Sequence, residues 1–382
     1  MIAYRQLSTV SRGRLSRLFS SPSCSKPFVV LALESSADDT CAAIVSSNRT
    51  IHSNIVLKQN HIHQIYAGIH PHLAILSHTE QMPFTVRRAL DTAQMQMNDI
   101  DAIAFTQGPG MGGCLAVACN AAKTLAIALE KPLVGVNHMR AHALTVTLTN
   151  PEVPPFPHLT LLVSGGHTML VLVHSEDKFE LIAQTADEAI GCTFDRVAAL
   201  LGLEWGKRGL GAALEHLAST SDTLDPSITL PTMMPGQLEF SFCGLRAATK
   251  RIIDHKQRSG ELSDRTRADI AARFQQAAVM QLEDKLARAV KECRVRGVQP
   301  RAVVASGGVA TNLYLRTRYT AEAAHAGTGE PLQVFYPPLE LCTDNAVMIA
   351  WAAMGRLLKR ERDGYGIRPL AGWKIDMDRP QT

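Results

Sequence analysis

The sequence predicts an α/β fold made by duplication, with two βββαβαβα-type halves and a ligand site between them. Three observations carry this reading. Two apolar strands in Leu159–Val173 meet at the turn Ser164-Gly-Gly-His-Thr168. The same plan occurs earlier, where Val29–Val45 turns at Glu34-Ser-Ser-Ala-Asp-Asp-Thr40. A third turn, Ser306-Gly-Gly-Val-Ala-Thr-Asn312, follows an apolar strand and opens a helix. Glycine lets backbone amides approach an anion with no side chain in the way, so such turns can hold phosphate. One of them is common at a strand end. Two strand–turn–strand units plus a strand–Gly-Gly–helix unit imply halves that close on a nucleotide from both sides.

The elements follow in order. Pro27–Val45 gives a strand pair and Ile51–Leu57 a third strand. A connection with five histidines (61, 63, 70, 72 and 78) is irregular in spacing and reads as a solvated face rather than a metal cluster. A helix is expected over Leu73–Ala93, with Pro83 kinking or breaking it. Asp101–Thr106 is a strand running into Gln107-Gly-Pro-Gly-Met-Gly-Gly113, Leu115–Glu130 a buried Ala/Leu/Val helix, and Pro132–Val136 a strand. The prolines of Pro151–Pro157 mark a linker. The second half repeats the order: strands at 159–164, 168–174 and 179–184, helices near 188–201 and 212–219, and a long helix at 264–296. A strand at 301–305, a helix at 309–323 and a strand at 332–336 follow, with Thr343–Lys359 as a buried closing helix. The domains expected are a leader at 1–27, halves at 28–150 and 151–342, and a closing helix and tail at 343–382. The second half holds an insertion near 221–260, rich in Pro and Met at 224–245.

Composition bounds the class. With 382 residues, 46% of them hydrophobic, and mean hydropathy near zero, the chain can bury a large core. No apolar run is long enough to span a membrane. The eight cysteines (24, 41, 114, 119, 192, 243, 293 and 342) form no Cys-x-x-Cys pair, which fits a reducing compartment. Residues 1–33 carry Arg5, Arg12, Arg14, Arg17 and Lys26 with many serines and no acid, the composition of a mitochondrial transit peptide. Removing those five from 39 basic residues leaves 34 against 35 acidic, so the body sits near −1. Any RNA binding must then come from a local patch. The run Arg246, Lys250, Arg251, Lys256 and Arg258, with Arg265, Arg267 and Arg273 beyond, is the candidate.

Several residues suggest chemistry. His138 and His142 stand at i and i+4, which on a helix gives two imidazoles on one face for a metal, or simply two surface histidines. A zinc protease of the His-Glu-x-x-His kind needs a glutamate where this chain has Met139. Asp344 precedes the last helix as an N-cap or a third ligand. Asp38 and Asp39 are an Asx-type turn or a carboxylate pair facing ligand. Asp195 either binds a ribose hydroxyl or stabilises its helix. In Gly209-Leu-Gly-Ala-Ala-Leu-Glu215, Gly211 permits close approach and Glu215 lies one turn inside.

Taken together, these motifs resemble the tRNA N6-adenosine threonylcarbamoyltransferases, the TsaD-type proteins. They run in order from Leu31 to Ala352: Glu34-Ser-Ser-Ala-Asp-Asp-Thr40, Gly108-Pro-Gly110, Asn137-His-Met-Arg-Ala-His142, Leu162-Val-Ser-Gly-Gly-His-Thr168, Phe194-Asp-Arg196, Phe240-Ser-Phe-Cys-Gly-Leu245, Ser306–Asn312 and Cys342-Thr-Asp-Asn345. With its leader the chain looks like the mitochondrial member. The resemblance implies an actin/Hsp70-like ATPase fold and transfer of threonylcarbamoyl from threonylcarbamoyl-AMP to N6 of the adenosine 3′ of the anticodon, in tRNAs reading codons that begin with A. It implies one divalent metal, zinc or iron, on His138, His142 and Asp344. Adenylate-binding positions would be Leu162, Val163, Ser164, Gly165, Gly166, Asp195, Gly211, Glu215, Gly308, Asn312 and Thr343, with Asp38 needed for activity. It further implies tRNA as partner, a separate enzyme supplying the adenylate, a homodimer, no membrane, and the mitochondrial matrix.

The chain departs from the family in three places. Ala37 replaces a usual Cys. Trp205-Gly-Lys-Arg-Gly-Leu-Gly211 replaces a Tyr-Pro-Gly-Gly segment, which loosens the placement of Gly211 and Glu215. Leu162 stands where archaeal and eukaryotic cytosolic relatives carry a tyrosine ligand, leaving three protein ligands and open positions. Two other readings compete: a nucleotide-dependent binding module of the Hsp70 or actin type, and a metalloendopeptidase. A simple nucleotide switch has no use for two histidines and an aspartate, and the peptidase lacks its base.

Overall fold

Two five-stranded sheets of the same topology form the frame. The computed structural model describes residues 26–378 except 67, 207–208, 222–223 and 327–330, so the leader reading of residues 1–25 lies outside it. Strands β1 (Val29–Glu34), β2 (Asp39–Ser46), β3 (Ile51–Lys58), β4 (Ala102–Gly108) and β5 (Leu133–Asn137) make the first sheet, in the order β3-β2-β1-β4-β5. The second holds β6 (His158–Val163), β7 (Thr168–Val173), β8 (Phe179–Gln184), β9 (Val303–Ser306) and β10 (Val334–Phe335), in the order β8-β7-β6-β9-β10. In both, the first three strands pair antiparallel and the last two join in parallel. The parallel steps need crossover helices, so the central strands β1, β4, β5, β6 and β9 are buried, while the outer antiparallel strands β3 and β8 are only half-buried.

The helices are α1 (Asn60–His63), α2 (Pro71–Ala93), α3 (Gly112–Ala128), α4 (His138–Thr149), α5 (Ile190–Leu200), α6 (Leu210–Ser219), α7 (Cys243–Arg258), α8 (Asp264–Val295), α9 (Leu313–Ala326), α10 (Leu339–Cys342) and α11 (Ala346–Leu358). Alternation along β1 assigns its two faces. Val29, Leu31 and Leu33 pack with Met82, Leu90 and Ala122 of α2 and α3, while Val30 and Ala32 pack with Val347, Ile349 and Ala350 of α11. In the second half Leu159, Leu161 and Val163 meet Phe194, Leu214, Phe274 and Leu282. Helix α4 lies between the sheets. Its Ala141 and Leu148 join the first core, and its Met139, Ala143 and Leu144 join Leu162, Val171 and Val173 of the second. The C-terminal tail returns to the first half: Asn137 Nδ2 donates to Trp373 O at 3.2 Å, Arg140 Nε to Ile375 O at 2.8 Å, and Leu370 N to Gln107 O at 2.7 Å.

Four expectations need correction. Pro83 does not break α2, which runs unbroken for 23 residues. Pro83 and Thr79 both face solvent, so water can serve the Thr79 carbonyl that loses its donor. Meanwhile Ala74, His78, Met82, Thr85 and Ala89 bury one continuous stripe. The histidine-rich connection is not one solvated face: His63 is 2% and His78 0% exposed. His78 joins Thr40 Oγ1 at 2.7 Å and the Ala37 carbonyl at 2.9 Å, fastening α2 to the β1–β2 turn. The Pro- and Met-containing insertion ends in the 16-residue helix α7. The last strand shrinks from 332–336 to two residues.

Candidate metal centre and nucleotide cavity

Strand β5 runs into α4, whose N-cap Asn137 accepts from the backbone N–H of Met139 and Arg140 at 3.0 and 3.1 Å. The capping fixes the first turn, so His138 and His142 project on one side. Both are buried, at 5% and 1% exposed, which rules out the surface-histidine alternative. Their rings meet edge-on at 4.8 Å. From the opposite side comes Asp344, just before α11. It is not that helix's cap, because Asn345 accepts from Met348 N at 2.9 Å. Its carboxylate is free to turn inward, with Oδ1 3.5 Å from His138 Nε2 and 3.1 Å from His142 Nε2.

Glu34, at the end of β1, was not singled out from sequence. It is 1% exposed, and its Oε2 lies 3.0 Å from His138 Nδ1. It also accepts from Ser36 N and Thr106 Oγ1. The carboxylate is placed to accept a hydrogen bond from Nδ1, which would leave Nε2 facing Asp344, the usual orientation for a metal-ligating imidazole. A lone acid ending an all-apolar strand was the available signal.

The electrostatics agree with a cation site. Burial works against charge on His138, but Glu34 and Asp344 overcome it and lift its pKa to about 10. Burial also opposes charge on Asp344, yet His138 and His142 hold its carboxyl well below the usual range. Burial keeps His142 low, and its Nδ1 finds no hydrogen-bond partner among the described residues. In this arrangement a protonated His138 offsets one of the two negative charges on Glu34 and Asp344. The donor set of two imidazole nitrogens and a carboxylate, all within 4.8 Å of one another, fits a divalent metal in place of that proton.

Beside this centre lies a cavity of about 450 Å³, of a size for a nucleotide. Gly165, Asp195, Gly211, Glu215, Gly308, Asn312 and Thr343 line it, and Thr343 adjoins Asp344. Asp195 Oδ1 accepts from Gly211 N at 2.9 Å, and burial raises its pKa to about 6. Glu215 accepts from Leu313 N at 2.6 Å, and Asn312 caps α9 through Leu315 N at 2.8 Å. Ser164 Oγ accepts from His167 N at 3.0 Å and Gly166 N at 3.3 Å, shaping the turn between β6 and β7. Gly307, at φ +101°, passes so near the Val163 carbonyl that a Cβ would overlap it. At Gly191 a Cβ would lie 2.6 Å from Ser164 O. Leu162 and Val163 are not brought to the cavity, since both side chains lie in the core and only their backbone is on offer. Burial lifts Asp38 to about 6, and burial with Asp38 lifts Asp39 to about 8. Lys58, Asn60, Phe194, Trp205, Thr311 and Glu340 also line the cavity, and sequence reasoning missed them.

The basic run is largely spoken for. Arg246 pairs with Glu188, Lys250 with Asp254 and Lys256 with Glu261, while Arg267 and Arg273 reach the carbonyls of Leu201 and Asp225. No helix of the described residues is long and apolar enough to cross a membrane.

Two repeated sheets with a nucleotide-sized cleft define an actin-like fold carrying a candidate metal centre. The activator component A of (R)-2-hydroxyglutaryl-CoA dehydratase from Acidaminococcus fermentans has this fold. It aligns at TM-score 0.51 and 14% identity over 87% of this chain and 99% of that one. The chain belongs to the tRNA N6-adenosine threonylcarbamoyltransferase (TsaD) family, whose model matches residues 50–351. It is 39% identical to the Brucella anthropi tRNA N6-adenosine threonylcarbamoyltransferase over 91% of this chain and 95% of the relative. With that of Anaeromyxobacter dehalogenans it shares 40%, over 91% and 99%. The chain is therefore an acyltransferase acting on tRNA, and the nucleotide-switch and endopeptidase alternatives fall away.

Proposed function

We propose that this acyltransferase works in the mitochondrial matrix and takes threonylcarbamoyl-AMP, made by a separate enzyme, as its donor. The acceptor is N6 of the adenosine 3′ of the anticodon in tRNAs reading codons that begin with A. The observation that carries the reading is the junction of two sites. The His138/His142/Asp344 set adjoins a nucleotide-sized cavity through the neighbours Thr343 and Asp344.

In this reading Gly165, Gly211 and Gly308 let the adenylate approach backbone, and Asp195, Glu215 and Asn312 address its ribose and base. His138, His142 and Asp344 hold one zinc or iron ion, which when bound polarises an oxygen of the donor as a Lewis acid. N6 attacks the carbamoyl carbon, a C–N bond forms, and the C–O bond to phosphate breaks. AMP leaves with the electron pair and N6 gives up one proton. Asp38, more basic than an ordinary carboxylate yet ionised at neutral pH, receives that proton. The active species is a homodimer.

The test is reconstitution with an adenylate-forming enzyme, threonine, bicarbonate, ATP and unmodified tRNA, read by nucleoside mass spectrometry. Threonylcarbamoyladenosine that depends on this protein supports the donor assignment. Adenylate formed with tRNA left bare would sink it. A reporter carrying residues 1–33 that stays in the cytosol would remove the matrix from the proposal.

A further inference from the structure

The charged residues that line the cavity are unbalanced. Among the described residues they are Asp195, Glu215, Glu340 and one cation, Lys58. Asp38 and Asp39 stand close by. Lys58 ends β3 directly across from Asp39 in the β2–β3 register, so the two side chains leave the sheet on the same face about 5 Å apart at Cβ. Its field lowers the pKa of both aspartates against the burial that raises them. Yet the Lys58 ammonium makes no ion pair or hydrogen bond among the described residues, unlike Lys250, Lys256, Lys285 and Lys359, each within reach of an acid. Its side chain is exposed at the cavity wall. An unpaired ammonium on a cavity wall where the other charges are carboxylates has a use when a further anion arrives.

We propose that Lys58 is the residue that receives the phosphate of the bound adenylate and stabilises the AMP dianion as it leaves. The inference rests on the adenylate-donor reading and adds to it a residue that no glycine turn can replace. Backbone amides bring partial charge to a phosphate, whereas an ammonium brings a full one on a stem long enough to follow it. The carboxylates around the cavity repel a phosphate, and among its lining side chains only Lys58 offers a positive charge to favour a nucleotide over its nucleoside. Lys58 also separates the arriving anion from Asp39, with which it shares a sheet face.

The experiment compares dissociation constants for AMP and for adenosine, measured by calorimetry on the full chain and on its Lys58→Ala and Lys58→Arg variants. The expected result is that Lys58→Ala weakens AMP about tenfold and adenosine less than twofold, the size of one charge-assisted contact. Lys58→Arg keeps most of the AMP affinity, and the loss in Lys58→Ala shrinks as salt rises. Equal weakening of both ligands would overturn the inference, because it would make Lys58 part of the wall only. So would unchanged AMP binding in Lys58→Ala. If the unaltered chain binds adenosine and AMP alike, the phosphate role fails while the nucleoside cavity stands. If it binds neither, the adenylate reading itself fails and takes Lys58 with it.

Discussion

The β1–β2 turn and the β6–β7 turn occupy equivalent places in the two sheets, yet they are built for opposite purposes. The first, Glu34–Asp39, concentrates three carboxylates, and Glu34 is tied to His138. The second, Ser164–His167, has two exposed glycines with nothing within 4 Å of where a Cβ would stand. One turn brings charge, and the other brings open backbone. Duplication supplied two similar platforms, and the turns divided the work of holding a charged centre and admitting a bulky ligand.

The sharpest way to break the comparison is His142→Ala on the charged side. It removes one of three donors, so metal content by mass spectrometry should drop to background and transfer to tRNA should fall by at least ~100-fold. Metal retained in full would strip this half of its assigned role. On the open side, Gly307→Ala puts a methyl against the Val163 carbonyl at a positive φ. Denaturant unfolding should show a loss of about 3 kcal/mol, with the metal still bound in whatever folds. Glu34→Gln is milder, because the amide keeps the shape and loses the charge that orients His138. Metal affinity should fall roughly 10–100-fold while thermal stability barely changes.

The smallest effect compares the strands beneath the turns. Where β1 begins with Val29, β6 begins with His158, fully buried and stacked on Phe156 at 5.0 Å. Burial depresses its pKa to about 4 from the ordinary 6.5. The folded value is the lower one, so the stability it allows is complete above pH 6.5 and is lost as pH falls towards 4. His158→Phe should remove that dependence, gaining roughly 1 kcal/mol on the parent at pH 5.5 relative to pH 8. Parallel stability curves for the two proteins across that window would contradict this.

The fold was legible because its central strands are buried throughout and its turns repeat. Apolar runs ending in Ser and Gly gave the order of elements, and i,i+4 spacing joined His138 to His142. What stayed hidden depends on tertiary neighbours. Pro83 survives inside a helix because of which way it faces, and His78 is buried because Thr40 and Ala37 meet it. Asn345 rather than Asp344 caps α11, a one-residue distinction that only geometry makes. Glu34 stood in the quoted motif with no role, because its partner is 104 residues away. Lys58 reaches the cavity from the end of β3 and Trp205 from the loop between α5 and α6, placements that the sequence does not state.

The order of synthesis bears on the centre. His138 and His142 leave the ribosome early, while Asp344 follows 202 residues later. The carbonyls of Trp373, Ile375 and Met377 that hold Asn137 and Arg140 come later still. A chain terminated prematurely, even within its last few dozen residues, lacks the groups that finish the first half's active helix. A chain that ends between Asp344 and Trp373 would carry all three donors and yet lack the carbonyls that tie down Asn137 and Arg140.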